Sequence, residues 1–335
     1  MSLFATASCS SPATPTPPPA TPPDPPRITC PAPQTVPSTT GSALSVVYGA
    51  PTAVNGAPPV ETSCTPASGS QFAVGQTSVS CTATDTLQRT DTCSFVVTVT
   101  PPPKLSAVSF LAFGDSLTWG EDGLATSATA RFHAAVRLSA SQTYPGRLHE
   151  QLATRYQTQT PTVDNAGYPG EAAADAQTFP RFVSYTQSGR YQVVLVMEGT
   201  NDLAEHDSLV IERAIDALRR MLRDAKARGV RPFLATIPPM NPAGSRGGAY
   251  SFFLVDAFND SVRALAVNEG VTLVDVHRAF ANNFTLLSSD GLHPNASGYA
   301  VIADTFFAAI KATLEAPQGS VLVPAALGSL LPRLR

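Results

Sequence analysis

The residues of this chain best suited to making and breaking covalent bonds are a serine, an aspartate and a histidine. Ser116 sits in the run Gly114-Asp115-Ser116-Leu117-Thr118, and Asp290 stands three residues ahead of His293 in Asp290-Gly291-Leu292-His293-Pro294-Asn295. A serine hydroxyl is a weak nucleophile until a neighbouring base takes its proton. Imidazole titrates near neutrality, so it can accept that proton and return it to a leaving alkoxide. A carboxylate on the second ring nitrogen would orient the ring and stabilise its protonated form. The chemistry so implied is attack on an acyl carbonyl. Each fragment alone is a common turn or surface pair, so its meaning depends on the elements that carry it.

From Lys104 onward short apolar runs alternate with helical periodicity, the pattern of a parallel α/β architecture. The strand candidates are Ala107 to Phe113, Thr162 to Ala166, Gln192 to Met197, Arg231 to Ile237 and Val271 to Val276, each apolar enough to be buried on both faces. Amphipathic helices lie between them. Leu148, Leu152 and Tyr156 are four apart, Ile211, Ile215, Leu218 and Leu222 recur at three and four ahead of Gly229, and Val301, Ile302, Phe306, Ile310 and Leu314 follow Pro294. Right-handed crossovers then give three layers, with the ligand crevice at the strand C-terminal ends. Polar residues cluster just past those ends: the Ser116 turn, Asn165-Ala166-Gly167-Tyr168-Pro169-Gly170, Glu198-Gly199-Thr200-Asn201-Asp202, and the His293 segment.

Taken in order, Gly-Asp-Ser-Leu, Asn-Ala-x-x-x-Gly, Gly-x-Asn-Asp and Asp-x-x-His-Pro resemble the SGNH (GDSL) hydrolase family from Ser106 to Glu315. The resemblance implies a flavodoxin-like αβα fold with a five-stranded parallel sheet, and hydrolysis of esters or thioesters through a covalent acyl-enzyme. It makes Ser116 the nucleophile, His293 the base and Asp290 its partner. The oxyanion donors it implies are the backbone N–H of Ser116, that of Gly170 and the side-chain amide of Asn201. Gly170, five residues past Asn165, takes the family position, and Tyr168-Pro169 is a local variation. Thr118 stands where a G-x-S-x-G elbow would need its second glycine, which disfavours the α/β-hydrolase fold.

No metal or cofactor is expected, because no pair of histidines has ligand spacing. His149 reads as a polar helix-face residue, His133 as a loop residue, His277 as opening the segment after the fifth strand, and His206 as a residue that could line the cleft. The insertion Glu121 to Thr143, with Phe132, Val136 and Leu138, could cover an acyl chain, and Met240 to Phe253 could act as a flap. Trp119 either walls the pocket or packs.

The 335 residues carry a net charge of −3, with 43% hydrophobic and 14% charged, which excludes a basic face for nucleic acid. No run of about 20 apolar residues is present to span a membrane. All cysteines lie early. Cys30, Cys64, Cys81 and Cys93 sit among short alternating runs such as Ala43 to Tyr48, Thr77 to Thr82 and Cys93 to Val99, and read as a disulfide framework of open connectivity in a small β-sandwich, hence a secreted protein. This stretch, with Phe72, Gly75, Val79, Ala83, Asp85, Phe95 and Val97, resembles a hyalin-repeat (HYR) module, implying an immunoglobulin-like fold and contacts with cell-surface or matrix components. Leu87-Gln88-Arg89 stands where that family often has a Gly-Asn turn. Cys9 resembles a bacterial lipoprotein cleavage site, and so a lipid anchor, although the basic n-region and full apolar stretch are missing.

The expected organisation is 1–26 leader remnant and Pro-rich linker, 27–100 β-sandwich, 101–104 junction, 105–316 catalytic domain and 317–335 tail. The expected activity is that of a secreted serine esterase on small or medium acyl or aryl esters. A carbohydrate O-acetylesterase is the alternative, and an adhesion protein with an inactive hydrolase domain is the alternative of another class.

Overall fold

The computed structural model describes residues 21–123, 136–204, 207–246 and 252–317. The expectations for Cys9, Phe132, His133, His206 and the tail past 317 therefore lie outside the described residues. Described residues fall into two compact units, one holding 21–38 and 42–100, the other 39–41 and the chain from 101 on.

The first unit is all β. Its strands are β1 (Arg27–Thr29), β2 (Gln34–Pro37), β3 (Leu44–Ser45), β4 (Thr52–Val54), β5 (Glu61–Thr65), β6 (Gln71–Phe72), β7 (Gly75–Thr84) and β8 (Thr90–Thr100). A four-stranded sheet runs β2-β8-β7-β5, while β1 pairs with β4 and β3 with β6. Along β7 and β8 alternate side chains turn inward, so Val79, Cys81, Ala83, Phe95, Val97 and Val99 are buried while their neighbours face outward. That core is small, and two cross-links supplement it: Cys30–Cys93 and Cys64–Cys81. The β7–β8 hairpin closes through Leu87-Gln88-Arg89, with Gln88 in the left-handed region at φ 61° and Asp85 accepting from the amides of Leu87 and Arg89.

The second unit carries β9 (Ser109–Gly114), α1 (Ser116–Trp119), β10 (Glu121–Asp122), β11 (Val136–Arg137), α2 (Tyr144–Arg155), β12 (Thr162–Gly167), α3 (Thr178–Thr186), β13 (Val193–Met197), α4 (Val210–Ala227), β14 (Arg231–Ala235), α5 (Val255–Glu269), β15 (Thr272–Val274), α6 (Val276–Phe280) and α7 (Ala296–Leu314). The parallel sheet has the order β12-β9-β13-β14-β15, so the expected five strands and three layers are present. Strand residues alternate between two cores. Leu111, Phe113, Val194 and Val196 pack toward α3, α4 and α5, whereas Phe110, Ala112, Val193, Leu195 and Met197 pack toward α2, α6 and α7. Each fully buried Leu, Val or Phe contributes roughly 1.5–3 kcal/mol, which is how a sheet this apolar holds polar residues at its ends.

The chain runs first through β9, then outward to β12, then back across to β13. This reversal splits the loops at the C-terminal ends of β9, β12 and β13 and opens a crevice between them. The Ser116 turn follows β9, the Gly170 loop follows β12 and Asn201 follows β13.

Candidate active site

The nucleophile turn is built by local rules. Asp115 caps α1, its Oδ1 accepting from the Leu117 amide at 2.8 Å, and this leaves Ser116 as the first helical residue. Gly114 is required where strand becomes helix, because a Cβ there would lie 2.1 Å from Thr118 Oγ1 and 2.3 Å from the Met197 carbonyl oxygen. His293 and Asp290 arrive on the loop before α7. Asp290 Oδ1 accepts from the amides of Leu292 and His293, both at 3.0 Å, which folds the loop back on itself. The result is a buried relay: His293 Nε2 lies 2.9 Å from Ser116 Oγ and His293 Nδ1 lies 2.6 Å from Asp290 Oδ2.

Gly170 and Asn201 are brought together through the loop between them. Asn165 Nδ2 donates to the Thr118 carbonyl at 2.9 Å, and the Tyr168 amide donates to the Gly114 carbonyl at 2.9 Å, fastening the β12 loop to the nucleophile turn. Gly170 turns the chain at φ 81°, a conformation glycine adopts without steric cost. Asn201 Nδ2 donates to the Glu171 carbonyl at 2.8 Å, and Asp202 accepts from the amides of Ala173 and Ala174 at 2.7 and 3.0 Å. Asn201-Asp202 thus clasps the segment just past Gly170.

A profile of the GDSL-like lipase/acylhydrolase family matches residues 112–301, more than half of the chain. The chain belongs to that family. An HYR domain profile matches residues 23–99. Over 130 residues, 38% of the chain, the sequence is 26% identical to a multidomain esterase from Ruminococcus flavefaciens, and the match covers 16% of that protein's length. The structure is similar to a lipase/acylhydrolase from Enterococcus faecalis, with TM-score 0.50 and 18% identity, covering 62% of this chain and 97% of that one. A carbohydrate acetylesterase from Sinorhizobium meliloti aligns with TM-score 0.49 and 18% identity, covering 61% and 99%. At 18% identity, the likeness to the Enterococcus faecalis protein is one of fold.

Several charged groups of this GDSL domain were not singled out by sequence. Arg181, on α3, reaches under the Gly170 loop: it donates to the Ala166 carbonyl at 2.7 Å, to the Gly114 carbonyl at 3.3 Å and to Glu171, and its guanidinium lies 3.9 Å from the Phe113 ring centre. Glu198, at the end of β13, is wholly buried. Neither of its oxygens has a hydrogen-bond partner among the described residues, and Arg181 is 3.8 Å away. Glu121 of β10 and Arg246 of the loop after β14 flank His293. The signal for Glu198 was available, since an acid closing an uninterrupted apolar run is costly unless the site uses it. For Glu121 and Arg246, 125 residues apart, no sequence signal existed.

Burial pushes the Asp290 carboxyl up, but the hydrogen bond and charge of His293 and the two loop amides outweigh it and hold Asp290 below the ordinary range. Asp115 goes the other way. Burial, helped by Asp202, lifts it to about 7 against the pull of the Leu117 amide. Burial and the charges of Asp115 and Glu171 push Glu198 well above the carboxylate range.

Other expectations resolve differently. Leu138 is half-buried against the core facing α2 and α7, and Val136 is exposed. Trp119 is half-buried: its backbone lies against Gly167, its carbonyl accepts from Arg137 Nε at 2.8 Å, and Arg137 covers its ring. The described part of the expected flap is strapped down, with the amides of Asn241 and Arg246 donating to the carbonyls of Gly291 and Asp290. His277 pairs with Asp256 and its basicity is lowered by burial, whereas His149 is exposed on α2. Among the described residues, the group of three metal-capable side chains within mutual reach is Cys30, Cys81 and Cys93, all engaged in disulfides.

Proposed function

We propose that this chain hydrolyses carboxylic esters through an acyl-enzyme on Ser116. The observation that carries the reading is the continuous relay from Ser116 Oγ through His293 to Asp290, at 2.9 and 2.6 Å. His293 Nε2 takes the serine proton as Oγ adds to the acyl carbon, and the imidazolium is held by Asp290 on Nδ1. The negative charge developing on the carbonyl oxygen is met by the N–H groups of Ser116 and Gly170 and the Asn201 amide, each such donor being worth roughly 3–4 kcal/mol. His293 then protonates the departing alkoxide, and water repeats the cycle on the acyl-enzyme.

A second reading, a carbohydrate O-acetylesterase, is favoured by one feature. Beside Gly170 lies a cleft of about 440 Å³ lined by Tyr168, Asp175, Gln177 and Arg181, and Tyr168 is 60% exposed. An exposed ring among polar groups suits a sugar better than a long acyl chain. The aromatics of the β unit, Tyr48, Phe72 and Phe95, are buried in its core and offer no such platform. The disulfides and the HYR domain support an extracellular setting, with the HYR domain contacting surface or matrix components. Among the described residues no helix is long and apolar enough to cross a membrane.

Turnover of a p-nitrophenyl ester series from acetate to palmitate, beside Ser116→Ala, tests the reading. Ser116→Ala is expected to lower kcat/KM by about 10⁴-fold or more with an unchanged melting temperature. Retained turnover would remove Ser116 as nucleophile. Activity confined to acetate, extending to acetylated sugars, would favour the second reading, and no activity on any ester would leave the adhesion role.

A further inference from the structure

His293 has a second carboxylate beside it. Glu121 is 6% exposed, and its Oε2 lies 3.6 Å from His293 Nε2, the ring nitrogen that faces Ser116. Its other oxygen, Oε1, lies 3.3 Å from Arg246, whose Nε is also 3.7 Å from Asp290 Oδ2. The backbone of Glu121 is fixed from α7, where the buried Tyr299 hydroxyl donates to its carbonyl at 2.8 Å. One cation therefore bridges two carboxylates that stand on opposite nitrogens of a single imidazole.

The two protonation states of that ring see Glu121 differently. When His293 is neutral with its proton on Nδ1, Nε2 presents a lone pair to the Ser116 hydroxyl, and a carboxylate at 3.6 Å gains nothing from it. Once Nε2 has taken the serine proton, the same carboxylate faces an N–H bearing positive charge. Its attraction is thus switched on when the acyl group is transferred, the condition for an interaction to speed the step rather than merely hold the resting state. Charge bookkeeping agrees: Asp290, Glu121 and Arg246 sum to −1 around a neutral ring and to zero around an imidazolium. The separation also matters. At 3.6 Å, against 2.9 Å for Ser116 Oγ, Glu121 is near enough to act on the charge while the serine remains the closer hydrogen-bond partner.

We infer that Glu121 is a positioning residue of the relay, stabilising the His293 imidazolium from the Nε2 side with Arg246 as its counter-ion. This rests on the proposed acyl-transfer reading. Among the described residues, the other charged or titratable groups nearby are Asp290 on its own loop and Asp115 on the β9–α1 turn, with Tyr299 of α7 and Asp122 beside Glu121. None of these changes in the variants that test the inference.

The experiment measures kcat/KM for p-nitrophenyl acetate between pH 4.5 and 9, with imidazole NMR of His293 over the same range, in the full chain and in Glu121→Gln, Glu121→Asp and Arg246→Gln. Glu121→Gln keeps an acceptor for Arg246 but removes the charge. It is expected to move the acid limb and the NMR titration down by about one pH unit and to lower plateau kcat about tenfold. Glu121→Asp should recover most of the limb. Arg246→Gln should move both readouts up, because it removes the cation opposing the imidazolium. Arg246 is one-third exposed, so this variant carries the test if Glu121→Gln does not fold. Readouts that stay within about 0.2 unit in folded variants, or shift in the same direction in both, overturn the inference. Loss of the Ser116 reading would appear separately, as turnover surviving Ser116→Ala, while the NMR titration still decides the role of Glu121.

Discussion

Each of the two units buries carboxylates, and they treat them in opposite ways. In the β unit Asp85 is 2% exposed and accepts from five donors: the amides of Ala57, Leu87 and Arg89 and two nitrogens of the Arg89 guanidinium. Burial pushes its carboxyl up, but the Arg89 and Ala57 hydrogen bonds and the Arg89 charge prevail and hold it at about 2. In the α/β unit Asp115 and Glu198 are equally buried with few donors, and Asp115 is lifted to about 7. Burial sets the cost of a charge, and the donors within reach decide whether the charge survives. The β unit uses its carboxylate to close a hairpin. The α/β unit keeps protonatable groups beside the turn that carries Ser116.

The sharpest way to separate the units is to remove the cross-link that spans one of them. Replacing Cys30 and Cys93 with Ser, 63 residues apart, is expected to cost the β unit about 2–5 kcal/mol while ester turnover stays unchanged. Calorimetry with a parallel assay checks this, and a fall in turnover would show that the β unit shapes the active site.

The carboxylates predict a difference in pH response. A carboxyl held protonated in the folded state keeps a proton that the unfolded chain releases above about pH 4, so stability falls as pH rises until the folded value is passed. For Asp115 the window runs from about 4 to about 7, at up to about 1.4 kcal/mol per pH unit, and Glu198 adds a similar slope. Asp85 has the reverse sign: its contribution is present above the ordinary range and lost as pH falls toward about 2, so Asp85 adds no slope in the same window. Glu198→Gln should flatten the α/β slope by about half in hydrogen exchange or denaturant titrations at pH 5, 6 and 7. An unchanged slope would mean that Glu198 is ionised.

The smallest effect concerns the hairpin that Asp85 closes. Gln88 holds φ 61° on an exposed turn, where a side chain costs roughly 1 kcal/mol that glycine avoids. Gln88→Gly should therefore stabilise the β unit by up to about 1 kcal/mol, less the added freedom of the unfolded chain, without altering turnover.

Much of the fold was legible because its causes are local. Runs such as Val193 to Met197 are apolar at every position, which only a strand covered on both sides tolerates, and the predicted strands fall within a few residues of β9, β12, β13, β14 and β15. The candidate site was legible as a set of polar blocks at strand ends. Their meeting at 2.9 and 2.6 Å depends on the sheet order and on the folded-back Asp290 loop. For Leu138 and the segment from Met240 the sequence leaves the contacts open, because an apolar or glycine-rich loop reads the same whether it roofs a pocket or packs on a core.

By itself, the sequence determined the strand and helix periods, the polar blocks at the strand ends, the Asp-x-x-His spacing and the separation of a cysteine-bearing β stretch from a cysteine-free α/β one. These follow from neighbours along the chain. Tertiary structure alone decided which cysteines pair, that Arg181 and Glu198 meet under the Gly170 loop, and that Glu121 and Arg246 converge on His293. The physical reason is range. Capping and amphipathicity act over a few residues, whereas a charge acts through space on whatever the fold sets within a few ångströms of it.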